Sequence, residues 1–235
     1  MSSTAALTES AHRAVAPAWH TALVLFVLLG LSLMGARSGG LPFVGAHGRA
    51  AGYVLIIVIE WLTVAFIWYG VGRRGIGMRD LVGGSWARPV AVVRDLAIAI
   101  GFLIISGVLL NGLGYLLNVV PNQAIRNMLP QGHTEVILYS MLSLTAGFCE
   151  EVIHRGYLQS QFAALTQSAG GGVLLQGIAF GAGHGYQGWK YMLLISVFGT
   201  MFGLLAHWRR SLRSCMLAHF LQDGVGGLLA RRFLG

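Results

Sequence analysis

The chain has 235 residues, of which 55% are hydrophobic and only 10% are charged, whereas soluble domains carry roughly 25% charged residues. This composition excludes an ordinary soluble enzyme, and the abundance of apolar residues excludes a disordered chain. The net charge of +8 comes from basic residues that stand mainly between apolar runs, so they indicate membrane topology and no nucleic-acid partner.

Seven apolar segments follow in chain order and predict an all-α, polytopic bundle of about seven to eight transmembrane helices. The first lies between Ala14 and Ala36, after a tail that we interpret as uncleaved. The second lies between Arg49 and Arg73, and the third spans 96–120. The others run from Glu135 to about Leu165, from Val173 to Tyr186, from Tyr191 to Trp208 and from Cys215 to Ala230.

An interfacial helix within 74–93 would make an eighth segment. We interpret 1–235 as a single integral membrane domain whose motif-bearing core covers about 134–230. Arginines between the second and third segments and between the sixth and seventh predict that these loops face the cytoplasm. Arg231 and Arg232 then face outward, which the positive-inside rule disfavours unless a further segment follows.

Acidic residues inside apolar segments are conspicuous, because an ionisable group at bilayer depth is costly and marks a functional site by default. Glu60 alone is interpreted as a snorkelling or bundle-stabilising charge. Glu150 and Glu151 are spaced four residues before His154 and Arg155, which predicts that each acid faces a base on one helix. Pairing with Arg155 would occupy Glu151 and leave Glu150 free to act as a base, and the alternative is a helix-end ion pair.

Two further segments carry histidines. Phe180 lies one turn before His184 in GIAFGAGHG, where glycines at every fourth position allow another helix to approach closely. His219 lies one turn before Asp223, so a carboxylate can orient the imidazole. A satisfied core histidine and a polar pair between helices are the structural alternatives.

Together these residues support two schemes for the attack of water on a carbonyl group. In the metal-free scheme, Glu150 and His184 deprotonate water, while His219 and Asp223 donate hydrogen bonds to the developing oxyanion. In the other scheme, Glu150, His184 and His219 hold a divalent metal such as zinc, which acidifies the water. The favoured scheme needs no cofactor.

At these residues the sequence resembles the CAAX protease and bacteriocin-processing family, which includes Ras-converting-enzyme-like proteases and Abi proteins. Its three motifs occur in order as E-E-x-x-x-R at Glu150, F-x-x-x-H at Phe180 and H-x-x-x-(N/D) at His219. The resemblance covers about 140–225. It implies a helical intramembrane endopeptidase in which Glu150 and His184 activate water and His219 and Asp223 form the oxyanion site.

The resemblance also implies a site that opens toward the cytoplasm and a membrane-associated peptide or protein as substrate. The composition is rich in arginine and poor in lysine, which indicates a prokaryotic inner-membrane protein and argues against a prenylated substrate. Asp223 departs from the asparagine of the eukaryotic pattern, and an aspartate is a poorer oxyanion donor unless it is protonated. A non-catalytic scaffold or immunity protein and a proton-coupled transporter are the alternative functions.

Overall fold

The computed structural model describes 13–40, 44–120 and 123–234, and within these ranges the chain forms helices and no strand. The tail that we interpret as uncleaved consists mainly of residues 1–12, which lie outside the described residues. The first helices are α1 Ala18–Ser38, α2 Val44–Gly72, α3 Met78–Val82, α4 Pro89–Leu116, α5 Gln123–Met128 and α6 Gly132–Glu151. They are followed by α7 Gln159–Thr166, α8 Ala169–Gly183, α9 Trp189–Arg209, α10 Arg213–Phe220 and α11 Gly227–Leu234.

Five helices in the described part of the chain are long and apolar enough to cross a membrane. They are Ala18–Ser38, Gly48–Gly72, Pro89–Leu116, Gly132–Thr166 and Trp189–Arg209. The second begins at Gly48 because the positive φ of 77° at this glycine kinks α2. The all-α membrane bundle predicted from the sequence is therefore confirmed.

The two other predicted segments form helices that do not meet these criteria. The segment predicted near 173–186 is α8, whose 15 residues extend about 22 Å and fall short of a hydrocarbon core of about 30 Å. The segment predicted near 215–230 is made of α10, a π-helical turn at Leu221–Gly226 and α11. Met78–Val82 is the short helix within the predicted interfacial region.

A single long rod, Gly132–Thr166, runs through the centre of the bundle. Between α6 and α7 it contains a π-helical segment, Val152–Leu158, in which every residue is buried. A helix that is buried on all sides is enclosed by other helices and does not face lipid there. The first predicted motif therefore lies in the best-enclosed part of the molecule.

The helices α8 and α9 approach each other closely along the predicted glycine face. A Cβ atom on Gly181 would clash with the backbone of Met192 and the side chain of Ser196, and one on Gly177 would clash with Thr200. Such positions accept only glycine unless the helices separate. This close packing, as the glycine spacing predicts, brings His184 against the rest of the bundle.

One end of the bundle is tied together by hydrogen bonds between distant loops. Leu212 N donates to Val82 O at 2.8 Å, and Arg209 Nη2 pairs with the buried Asp95 at 3.0 Å. The residues that precede α1 reach the same end, because the side chain of Gln161 bonds the backbone of Val15 and Ala16. The arginine-rich loops predicted to share one side of the membrane are thus held together.

Candidate active site

Glu151 is the buried centre of a chain of polar side chains. Its Oε1 accepts hydrogen bonds from Arg155 Nη1 at 2.8 Å and from His219 Nδ1 at 2.7 Å. The side chains of Glu151 and Arg155 are both fully buried, and buried charges are tolerated when they are paired and hydrogen-bonded. Arg155 thus compensates the Glu151 carboxylate, as the i,i+4 spacing predicts.

The guanidinium of Arg155 is held between two aromatic rings. Its central carbon lies 4.3 Å from the ring centroid of Phe180 and 4.7 Å from that of Phe202. Arg155 Nη2 also donates to Gly199 O at 3.4 Å. The aromatic faces and the carbonyl therefore supply cation–π and hydrogen-bond contacts that hold the guanidinium in place.

His219 connects this buried pair to two further carboxyl groups. Because the paired Glu151 carboxylate is only an acceptor, Nδ1 of His219 carries the hydrogen and donates it. Its other ring nitrogen, Nε2, lies 3.8 Å from Glu150 Oε2 and 3.4 Å from Asp223 Oδ2. The structure thus places His219 and Asp223 on one helix face, as the sequence predicts, and brings His219 to Glu150.

His184 has a fixed orientation at the C-terminal end of α8. Its Nδ1 lies 2.8 Å from Phe180 O, and since a carbonyl oxygen only accepts, Nδ1 is the donor. This bond leaves Nε2 of His184 available as an acceptor. The ring lies 4.7 Å, centroid to centroid, from Phe180, so Phe180 contacts both His184 and Arg155.

Glu150 and His184 line the same cavity, which has a volume of about 100 Å³. Tyr186 and Glu60 also line it. Burial raises the pKa of the Tyr186 phenol above its ordinary value, so this side chain offers a neutral hydroxyl. The opposite wall is apolar and is formed by Leu28, Leu31, Ile56 and Ile59. His219 and Asp223 are not among the residues that line this cavity, and His219 approaches Glu150 from beside it.

A family model described as a type II CAAX prenyl endopeptidase, Rce1-like, matches residues 132–225. This segment is similar to the Rce1-like family. The match covers less than half of the chain and includes all three motifs. No curated protein and no solved structure matches the chain.

The five apolar helices indicate an integral membrane protein, and residues 132–225 are similar to a family of proteases. The family description also supports a hydrolase that acts on membrane-associated peptides. The resemblance noted on the three motifs is confirmed by this match. Which residues perform the chemistry is a separate matter, because the family match covers them without assigning their roles.

The metal scheme can be compared with the arrangement of the three predicted ligands. Among the described residues, no group of three or more histidine, cysteine, aspartate or glutamate side chains is placed to hold a metal ion. His184 and His219 use Nδ1 in hydrogen bonds, which leaves Nε2 of each ring as the atom that would bind a metal. The metal scheme therefore stays a prediction.

One predicted pairing, between Glu150 and His154, is wrong. No hydrogen bond joins Glu150 to His154 in the described structure, because the His154 ring packs edge-on against Phe180 at 4.9 Å.

Glu60, interpreted from the sequence as a stabilising charge, instead faces the cavity with a buried Oε2 that has no partner among the described residues. The sequence feature that could have identified Glu60 is that it is the sole charged residue in its apolar segment.

Proposed function

We propose that the protein is an intramembrane endopeptidase in which Glu150 and His184 activate a water molecule. The observation that carries the proposal is that both side chains line one cavity while each keeps an atom free for the water. Glu150 Oε2 has no hydrogen-bond partner among the described residues, and Nε2 of His184 is free to accept. A carboxylate and an imidazole so placed act as general bases.

In the proposed reaction, water bound between Glu150 and His184 attacks the carbonyl carbon of the scissile peptide bond. The proton removed from water passes to the leaving amine when the tetrahedral intermediate collapses. The oxyanion that forms first needs a donor, and His219 supplies it from Nε2 in the imidazolium form. The carboxylates of Glu151 and Asp223 beside His219 stabilise that positive charge, and the buried site strengthens the resulting hydrogen bond.

The cavity also supports a membrane-associated substrate. A neighbouring apolar cavity of about 380 Å³ between α1 and α2 includes Leu23, Val27 and Phe66. Ile59 and Thr63 line both cavities. An apolar substrate segment in the cavity between α1 and α2 can therefore present a peptide bond to the cavity that Glu150 and His184 line. This arrangement supports entry of the substrate from the lipid between α1 and α2.

We further propose that this is a prokaryotic inner-membrane protein whose arginine-rich end lies in the cytoplasm. The support is that α1, α3 and the α9–α10 connection meet at one end of the bundle, which carries most of the arginines. Such an excess of arginine marks the cytoplasmic side.

The test compares the purified wild type, Glu150→Gln and Glu135→Gln on a panel of membrane-anchored reporter peptides, each with and without a chelator. Glu135→Gln is the matched control, because Glu135 lies on the same rod but pairs with Arg49. We expect Glu150→Gln to lose at least about a hundredfold in rate and chelation to change nothing.

Full activity of Glu150→Gln would remove Glu150 from its role as the base. Loss of cleavage on chelation would instead support the metalloenzyme scheme. A folded wild type that cleaves no member of the panel would favour the non-catalytic scaffold.

A further inference from the structure

A second and larger pocket also borders Arg155, at the arginine-rich end of the bundle. It has a volume of about 600 Å³, and its basic lining residues are Arg13, Arg74, Arg155 and His207. We call it the basic pocket. An adjoining pocket of about 450 Å³ shares Arg155 and His207 with it and adds Arg210.

Arg155 is compensated by Glu151, but Arg13 and Arg74 give the basic pocket positive charge that no carboxylate of the described lining matches. No carboxylate lines it among the described residues, and within that part of the chain Arg13 and Arg74 form no ion pair. Asp80 is the acidic residue of the adjoining pocket, where its Oδ2 accepts a hydrogen bond from Gly77 N. Cationic side chains around one concave surface repel each other, so an anion that enters relieves this repulsion.

The pocket also contains a buried polar atom that calls for a hydroxyl group. Gln159 Oε1, an acceptor, is buried without a partner in the described part of the chain, and Gln159 lines the pocket. Buried polar groups in native proteins are nearly always hydrogen-bonded. A hydroxyl group would satisfy Gln159 Oε1, and the exposed side chains of Arg13 and Arg74 are left to bind a phosphate.

Exposed aromatic residues place this pocket at the level of lipid headgroups. Trp19 near the start of α1, Trp68 near the end of α2 and Trp208 near the end of α9 are 54%, 60% and 68% exposed, respectively. All three are at the arginine-rich end. Tryptophans concentrate at membrane–water interfaces, where one part of the ring is in lipid and the other in water.

We propose that the basic pocket binds the headgroup of an anionic phospholipid that carries both a phosphate and a hydroxyl group. Arg13 and Arg74 contact the phosphate at the entrance. Gln161 keeps Arg13 in position, because its side chain bonds the backbone of Val15 and Ala16. Basic pockets between transmembrane helices bind phospholipid headgroups in this way.

Binding at this pocket stands apart from the catalytic proposal, yet the two sites share one residue. Arg155 lines the basic pocket and donates to Glu151, which in turn accepts from His219. The Arg155 side chain is fully buried, so a headgroup in the pocket covers this residue without replacing its bond to Glu151.

The experiment titrates palmitoyl-oleoyl phosphatidylglycerol into the detergent-purified protein and follows its unfolding temperature. Separate titrations use palmitoyl-oleoyl phosphatidylcholine, which has no net charge, and inorganic phosphate, which has no acyl chains. The pocket variant is Arg13→Gln with Arg74→Gln. The control is Arg79→Gln with Arg88→Gln, which removes the same charge from exposed positions at the same end of the bundle.

We expect phosphatidylglycerol to raise the unfolding temperature of the wild type, with phosphatidylcholine and phosphate having little effect. The pocket variant should need at least about tenfold more phosphatidylglycerol, since it loses two charge-assisted contacts, and the control less than about threefold more. Equal stabilisation by phosphatidylcholine, or equal weakening in the control, would overturn the proposal. Equal stabilisation by inorganic phosphate would overturn the lipid assignment and make this a free phosphate site. Arg13→Gln and Arg74→Gln are also measured singly, so that each contact is tested even if the double variant unfolds.

Discussion

Arg155→Ala is expected to destabilise the protein strongly as well as inactivate it. The substitution leaves the Glu151 carboxylate, whose side chain is 0% exposed, without its 2.8 Å partner. Breaking one side of a buried ion pair costs about 3–5 kcal/mol. For a chain of this size, that loss corresponds to a decrease in unfolding temperature of roughly 10 °C. The two aromatic faces that hold the guanidinium lose their contact as well.

Thermal unfolding of the purified protein in detergent measures this loss, with exposed Arg88→Ala as the control, expected within about 0.5 kcal/mol of wild type. Adding Glu151→Gln to Arg155→Ala should restore part of the stability, because the second change removes the unpaired charge. Wild-type stability of Arg155→Ala would refute the reasoning that the pair carries a buried charge. An Arg155→Ala protein that is not rescued by Glu151→Gln would show that packing, and not charge, explains the loss.

Three further changes test the close packing of α8 against α9, the bonds of Gln161 to the backbone before α1, and the proposed oxyanion site. Gly181→Ala should cost about 1–3 kcal/mol, because its Cβ would meet the backbone of Met192, whereas Gly170→Ala, with only ordinary contacts, should leave the unfolding temperature unchanged. Gln161→Ala should lower the free energy of unfolding by about 2–3 kcal/mol and increase proteolysis before α1. An unchanged digestion pattern would show that the bonds of Gln161 do not hold this segment. Asp223→Asn should lower kcat by roughly tenfold, because it removes one of the two carboxylates that stabilise the His219 imidazolium, and an unchanged kcat would show that this charge is not needed to keep His219 protonated.

Local sequence spacing predicted the contacts that lie within one helix. Glu151 and Arg155 pair at 2.8 Å, and His219 lies 3.4 Å from Asp223, because residues four apart share a helix face. The same spacing failed for Glu150 and His154. There the aromatic ring of Phe180, from another helix, competes for the histidine, and no local pattern reports such a neighbour.

Contacts between distant segments required the tertiary structure. Glu151 and His219 are 68 positions apart, and the short motifs that contain them do not show that they meet. Glu60 lies in an apolar segment whose pattern shows a single charge but not which cavity that charge faces. The basic pocket likewise combines Arg13, Arg74 and His207 from three parts of the chain.

By itself, the sequence determined that this protein is a helical membrane bundle, and it predicted which residues carry its chemistry. Long apolar segments with few charged residues form helices in lipid, because their backbone polar groups must be hydrogen-bonded within each helix. Only the tertiary structure decided which buried charges compensate each other and which face a cavity. Those outcomes depend on how α1, α2, α8 and α10 pack around the central rod. Packing depends on which side-chain shapes fit together, and hydropathy does not specify this.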